Sequence, residues 1–107
     1  MKRIGRELLT IATALAIGFC LPLPARAQDA ATTFKSRCAA CHGADGTGSP
    51  AGKKMGVKDL TTAEVQKMSN AELNDVITNG RNKMPKFGSL QPEEIKGLVA
   101  YVRTLKK

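Results

Sequence analysis

The chain contains no tryptophan, one tyrosine, three phenylalanines and one histidine among its 107 residues. With so few aromatic side chains, a domain of this size builds only a small hydrophobic core, and small domains often depend on a metal or another cross-link. No segment shows the alternation of apolar and polar residues that is typical of a half-buried strand, and no GxxxxGK[ST] phosphate loop is present. These absences argue against α/β nucleotide-binding folds and favour one all-α domain.

The chain also lacks an apolar run of the roughly 20 residues that a membrane-spanning helix needs. Its longest run covers residues 8–23 and is broken by Pro22. The run follows a basic start and precedes an A-x-A cleavage pattern at residues 25–27, which is the arrangement of a secretory signal peptide. We therefore expect residues 1–27 to be removed on export to the periplasm. An uncleaved N-terminal anchor is the alternative.

Residues 28–107 are expected to form the mature domain, without a membrane span. This part holds 13 basic and 8 acidic side chains, so its net charge is positive. Nucleic acid is not an expected partner of an exported protein, despite the basic composition. Only two cysteines remain in this part, Cys38 and Cys41, and both belong to one motif, which leaves no pair for a separate structural disulfide.

That motif is Cys38-Ala39-Ala40-Cys41-His42, the attachment signature of a c-type haem. Residues three apart are neighbours on a helical turn, so both thiols can form thioethers with the vinyl groups of one porphyrin. His42 follows at once and supplies an imidazole for the iron. A zinc site would need further ligands, and a thioredoxin-like disulfide would need a βαβ unit. We therefore predict one covalent haem c, which would also complete the small core.

Helical spacing predicts a first helix from residue 29 to about 41. Ala30, Phe34 and Cys38 lie on one apolar stripe, so Phe34 should pack near the haem. Residues 43–59 are predicted to be a loop because glycine is too frequent there for regular structure. This loop is expected to wrap around the histidine side of the haem, where glycine permits a close approach of the backbone.

The rest of the chain is predicted to form three more helices. Capping boxes at 61–64 and 69–72 open two of them, and the second should end at Asn79-Gly80. The last helix is predicted from Pro92 to about Leu105, with acidic residues in its first turn. It should cross the first helix and bring Tyr101 close to it.

The second axial ligand is expected to be a methionine, because a thioether suits haem iron opposite an imidazole. Met84 is favoured, since it lies far from the motif in a loop (81–90) that Pro85 stiffens. Met68 sits at a helix end and is interpreted as core packing. Met55 follows His42 too closely to reach the opposite face easily, but Met55 as ligand, or an open iron site, remains an alternative.

The surroundings of the haem are predicted as follows. The backbone carbonyl of Pro50 is the candidate acceptor for the second imidazole N–H of His42, although Pro50 is also an ordinary turn residue. Lysines on both predicted haem loops are candidates for steering acidic redox partners, or are simply solubilising side chains. These lysines are Lys53, Lys54, Lys58, Lys83 and Lys86.

Together these motifs resemble the small class I monohaem cytochromes c of bacterial periplasms. The resemblance covers residues 30–105 and includes the haem motif with the glycine-rich segment after it, Asn-Gly-Arg at 79–81 and Met-Pro-x-Phe at 84–87. It implies an all-α class I cytochrome c fold, with about four helices around one haem. It also implies thioethers from Cys38 and Cys41, axial ligands His42 and Met84, and transfer of single electrons rather than catalysis.

The leading hypothesis is therefore a soluble, monomeric electron carrier in a respiratory or photosynthetic chain. With both axial positions filled, the iron has no site for a substrate. A peroxidase or gas sensor is the rival, and it would require an open or displaceable iron position. A third possibility is a tethered subunit of a larger oxidase or dehydrogenase, which would require residues 1–27 to be retained.

Overall fold

A computed structural model describes Gly18 and residues 25–107, with side chains described from Asp29 onward. The predicted signal peptide therefore lies almost wholly outside the described residues, and its cleavage stays a prediction. The helical elements are α1 (Ala25–Thr33), a π-helical segment (Phe34–Cys38), α2 (Ala39–His42), α3 (Pro50–Lys54), α4 (Ala63–Gln66), α5 (Asn70–Asn79) and α6 (Pro92–Thr104).

Within residues 25–107 the secondary structure is helical, apart from one isolated β-bridge between Arg81 and Met84. The predicted all-α class is confirmed. In the described part of the chain, no helix has the length and hydropathy needed to cross a membrane.

The centre of the fold is the packing of the first helical run against α6. The rings of Phe34 and Tyr101 lie 4.9 Å apart between centroids and are tilted by 45°, so the predicted approach of Tyr101 is confirmed. Such a pair contributes about 0.5–1.5 kcal/mol beyond the area that it buries. Among the side chains that the structure describes, Phe34 is the largest that is fully buried, and Leu98 and Val102 of α6 join it in the core.

The first helix begins at Ala25 rather than at residue 29, and it widens into the π-helical segment just before the haem motif. The expectation of a plain loop over 43–59 is wrong, because α3 lies inside it. The Ser49 side chain caps α3 by accepting from the Gly52 N–H at 2.9 Å, and Pro50 takes the first helical position. Both are common helix-start signals, which the density of glycine obscured.

The first of the two predicted capping boxes is also wrong. Thr62 is the N-cap of α4 and makes no capping bond with its side chain. Asp59 organises this turn instead, since one carboxylate oxygen accepts from the Thr61 N–H at 2.9 Å and from its hydroxyl at 2.6 Å. The second box, between Ser69 and Glu72, is confirmed by both of its hydrogen bonds.

Candidate functional site

A cavity of about 290 Å³ lies between the haem motif and the loop that follows α5. Cys38, Cys41 and His42 line it, and so does Met84, so the structure brings the four predicted haem-binding residues to one cavity. Most of the remaining wall is apolar and includes Phe34, Leu60, Val65, Leu73, Ile77 and Leu98.

The two cysteine thiols are half-buried and free. Cys38 ends the π-helical segment, and Cys41 lies in α2. Burial raises the pKa of the Cys38 thiol, and the nearby positive charge of Arg37 only partly opposes this effect. Reactive redox cysteines have a lowered pKa, so this environment disfavours a thioredoxin-like disulfide and suits a thiol that is consumed in cofactor attachment.

The His42 ring is oriented by the backbone of the loop that follows it. Its Nδ1 lies 3.3 Å from the carbonyl oxygen of Lys58. A carbonyl can only accept, so Nδ1 carries the proton and Nε2 keeps the lone pair that binds a metal. Burial also lowers the pKa of His42, which favours the neutral imidazole that ligation requires.

The prediction that Pro50 accepts this hydrogen bond is wrong, because the acceptor is Lys58. Pro50 opens α3, and a carbonyl at the start of a helix points along the helix axis into its own hydrogen bonds. Because Pro50 begins a helix, the observed acceptor is Lys58, eight residues after the predicted one.

Ser49 connects α2 to the start of α3, a role that was not predicted from the sequence. Its hydroxyl donates to the Ala40 carbonyl at 2.6 Å, and its N–H donates to the Cys41 carbonyl at 3.0 Å. Gly52 then packs directly on the motif, since a Cβ at this position would lie 1.9 Å from the Cys41 carbonyl oxygen. Two features of the sequence could have indicated this arrangement: the Ser49-Pro50 pair, which is typical of a helix start, and Gly52, which permits close packing.

The three methionines of the described part of the chain all line the cavity. Met84 is half-buried, and its backbone is held by a reciprocal pair of hydrogen bonds with Arg81, at 2.9 and 3.2 Å. The turn between them contains Asn82 in the left-handed region, with φ of 53°. Met55 is 46% exposed at the end of α3. Lining alone therefore does not separate the candidate ligands.

The donor set fits a haem better than a bare ion. Two thiols, one imidazole and a thioether face an apolar cavity, and these are the groups that attach and ligate a c-type haem. Among the residues that the structure describes, no group of three or more His, Cys, Asp or Glu side chains is placed to hold a metal ion.

Comparison with known proteins decides the family. Residues 25–102 match the family described as "Cytochrome C oxidase, cbb3-type, subunit III". Cytochrome c6 of Rippkaea orientalis is 35% identical over 107 residues, which cover 91% of each chain. The solved structure of the KustC0563 c-type cytochrome has a TM-score of 0.69 and 35% identity, covering 74% of this chain and 99% of that one.

The chain belongs to the c-type cytochrome family. It is a small monohaem cytochrome with covalently attached haem c and the class I fold, and it is an electron carrier. The resemblance stated from the sequence is thereby confirmed. The FixP subunit of the cbb3-type oxidase of Azorhizobium caulinodans is 39% identical over 82 residues, but the chain spans only 27% of the length of FixP.

The five candidate lysines of this cytochrome are all exposed, but they differ in position. Lys58 and Lys83 line the haem cavity, whereas the other three lie outside its lining. The Lys58 ammonium pairs with Glu64 at 3.0 Å, and both side chains are more than two-thirds exposed. Such a surface pair contributes little to stability, but it offsets part of the local positive charge.

Proposed function

We propose that the protein is a carrier of single electrons whose one haem is attached through Cys38 and Cys41 and ligated axially by His42 and Met84. The observation that carries this proposal is the common cavity of the four side chains, with Nδ1 of His42 held by a carbonyl. When bound, the haem supplies the Fe(III)/Fe(II) couple. The chain binds the iron from both sides and surrounds the porphyrin with apolar walls, so that the electron moves with little rearrangement.

The assignment of Met84 is supported by the way in which the two loops are attached. Met55 belongs to the segment on the histidine side, where the Val57 N–H bonds to Gly52 at 2.9 Å and the next residue holds the His42 ring. Met84 precedes Phe87, whose N–H donates to Ile77 of α5 at 2.9 Å. These separate attachments support Met84, rather than Met55, as the ligand on the side of the haem opposite His42.

The test is the absorption spectrum of the exported protein, together with its mass. The wild type should carry one covalent haem and show the sulfur-to-iron charge-transfer band of the oxidised state. Met84→Ala should lose this band and keep the haem, whereas the matched variant Met55→Ala should keep both. Loss of the band in Met55→Ala alone would make Met55 the ligand. A high-spin wild type that binds carbon monoxide when reduced would favour a peroxidase or sensor.

We further propose that the protein works in the periplasm, as a monomer within a respiratory or photosynthetic chain, after removal of residues 1–27. The likeness to cytochrome c6 over nearly the full length of both chains supports a carrier that acts by itself. N-terminal sequencing of the purified protein should begin at Gln28. A sequence that begins at Met1 would contradict the proposed processing.

A tethered oxidase subunit is the second candidate, because the chain also matches part of FixP, a cbb3-type oxidase subunit. That arrangement would keep residues 1–27 as an anchor. Fractionation of the native host separates the two possibilities, since a free carrier is released with the periplasmic contents and a tethered subunit stays with the membrane.

The proposed partners are redox proteins with acidic docking surfaces. Lys53 and Lys54 of α3 and Lys83 and Lys86 beside the proposed ligand provide exposed positive charge on both loops of the cavity. Changing these four lysines to Glu should slow electron exchange with an acidic partner, and more so at low ionic strength, where steering is least screened. Unchanged rates at low salt would contradict the proposal.

A further inference from the structure

Arg103, in the last turn of α6, joins this helix to residues 66–70, which run from the end of α4 to the start of α5. Its guanidinium donates to the backbone carbonyl of Gln66 at 2.8 Å and to that of Met68. It also donates to the side-chain oxygen of Asn70, from Nε at 3.1 Å and from Nη2 at 2.9 Å. All three acceptors are uncharged, so the side chain works here as a rigid multiple donor.

Gln66 makes a second link between the same two parts of the fold. Its side-chain amide donates to the carbonyl of Leu60 at 2.8 Å and to that of Val102 in α6 at 3.0 Å. α4 is a single turn of four residues, too short to be stable by itself, and its last carbonyls need partners outside the helix. The conformation of residues 60–70 is therefore set to a large extent from α6.

The same segment forms one wall of the haem cavity. Leu60, Val65 and Met68 line the cavity, whereas Arg103 does not. We propose that Arg103 is a positioning residue for this wall, which keeps water from the haem and thereby raises its reduction potential. An apolar shell limits the access of water to the haem. Water stabilises the additional positive charge of Fe(III), so its exclusion raises the reduction potential. The inference rests on the proposed placement of the haem in this cavity.

Lysine cannot replace arginine at this position. The planar guanidinium presents five N–H donors in a fixed fork, and here they serve three separate acceptors. A lysine ammonium at the end of a flexible stem would reach only part of this set, leaving a half-buried carbonyl without its partner. Arg103→Lys, which keeps the positive charge, should therefore not restore the wild-type conformation of this wall.

The test compares holoprotein variants. Arg103→Met and Arg103→Lys should keep the covalent haem, lower the reduction potential, and speed hydrogen exchange at the Met68 amide. For Arg103→Met we expect an acceleration of about tenfold or more, because the loss of one hydrogen bond from a charged donor already accounts for roughly that factor and this variant loses four. In the wild type this amide donates to Val65 at 3.0 Å. Asn70→Ala removes a single acceptor and should give smaller changes in the same direction, which keeps the test usable if Arg103→Met does not fold.

Val99→Ala is the matched control, since Val99 is buried in α6 but does not line the cavity. It should destabilise the fold and leave the reduction potential unchanged. The proposal is overturned if the Arg103 variants keep the wild-type potential, or if Val99→Ala shifts it equally. A failure of the proposed ligation would appear separately, as a Met84→Ala protein with an unchanged spectrum while Arg103 is intact.

Discussion

The two sides of the haem cavity are held in different ways. On the histidine side, residues 43–58 are hydrogen-bonded directly to the haem motif. The Gly48 N–H donates to the His42 carbonyl at 2.6 Å, and the Ser49 hydroxyl donates to the Ala40 carbonyl at 2.6 Å. On the methionine side, residues 80–87 depend on one tight turn and on the bond from Phe87 to α5.

This difference predicts that the two proposed axial ligands, His42 and Met84, need not be lost together. The histidine is fixed by the same contacts that shape the attachment motif, so damage there should reach both haem attachment and folding. The methionine is carried by a turn with few ties to the rest of the fold. Damage to that turn should release the thioether and leave the haem attached.

Gly52→Ala is the strongest way to break the histidine side. The new Cβ would lie 1.9 Å from the Cys41 carbonyl oxygen, and a backbone atom cannot move aside cheaply. We expect a loss of about 3 kcal/mol or more in the free energy of unfolding, at the upper end for overpacking, and a poor yield of protein with attached haem. Denaturant unfolding and the haem content of the exported protein measure both effects.

Gly56→Ala is the control in the same segment. Gly56 has φ of 78°, but a Cβ there meets no atom within 4 Å, so the change tests backbone strain alone. It should cost about 1 kcal/mol and leave the haem content normal. Equal damage from both variants would show that the contact with Cys41 is unimportant.

Gly80→Ala is the corresponding change on the methionine side. Gly80 has φ of 76°, and a Cβ would lie 2.6 Å from the Met84 carbonyl oxygen. We expect a loss of about 2 kcal/mol, from the left-handed backbone and the displaced turn together. The oxidised protein should lose its sulfur-to-iron band while mass analysis still finds the haem. Loss of the haem as well would contradict the independence of the two sides.

Most of the fold was predictable from short signals. The approach of Tyr101 to the first helix, the Ser69–Glu72 capping box and the approximate limits of α6 were all expected, because apolar spacing and caps act locally. The predicted capping box at 61–64 was wrong because the Thr61 N–H has two possible acceptors, the side chains of Asp59 and Glu64, and it donates to Asp59. Asp59 precedes Thr61 by two residues and closes a smaller ring than the predicted box would.

The partner of His42 could not be predicted in the same way. Lys58 acts through its backbone carbonyl, which every residue possesses, so no side-chain signal marks this position. The choice between Pro50 and Lys58 depends on whether residues 50–54 are helical, and glycine density pointed to a loop. Arg103 was missed for the same reason, because its main acceptors are backbone carbonyls far away in the sequence.

Ser49→Ala tests the histidine side more gently. It removes the cap of α3 and the bond to the Ala40 carbonyl, without any steric overlap. We expect a loss of about 1–2 kcal/mol, the usual cost of an N-cap. The haem should remain attached and the sulfur-to-iron band intact, because Gly52 still packs closely against the backbone of Cys41. Ser69→Ala, which removes the cap of α5, is the matched control and should cost a similar amount.

The smallest expected effect is an acid sensitivity of the turn that ends the histidine side. The hydroxyl and the N–H of Thr61 hold the pKa of Asp59 below its ordinary value. Because the folded pKa is depressed, the stabilisation is complete above the pKa of an unfolded aspartate and is lost as pH falls through the folded value. Asp59→Asn should therefore be slightly less stable than the wild type at neutral pH, and the difference should vanish in acid.

Urea unfolding of the holoprotein at a series of pH values from about 7 down to 3, which brackets the ordinary pKa of aspartate, measures this difference. Other carboxylates titrate in the same range, but they are common to both proteins and cancel in the comparison. Thr61→Val keeps the carboxylate and removes the hydroxyl donor, so its stability should depend on pH less than that of the wild type and more than that of Asp59→Asn. Parallel pH profiles for all three proteins would mean that the Asp59 turn does not couple to the stability of the histidine side.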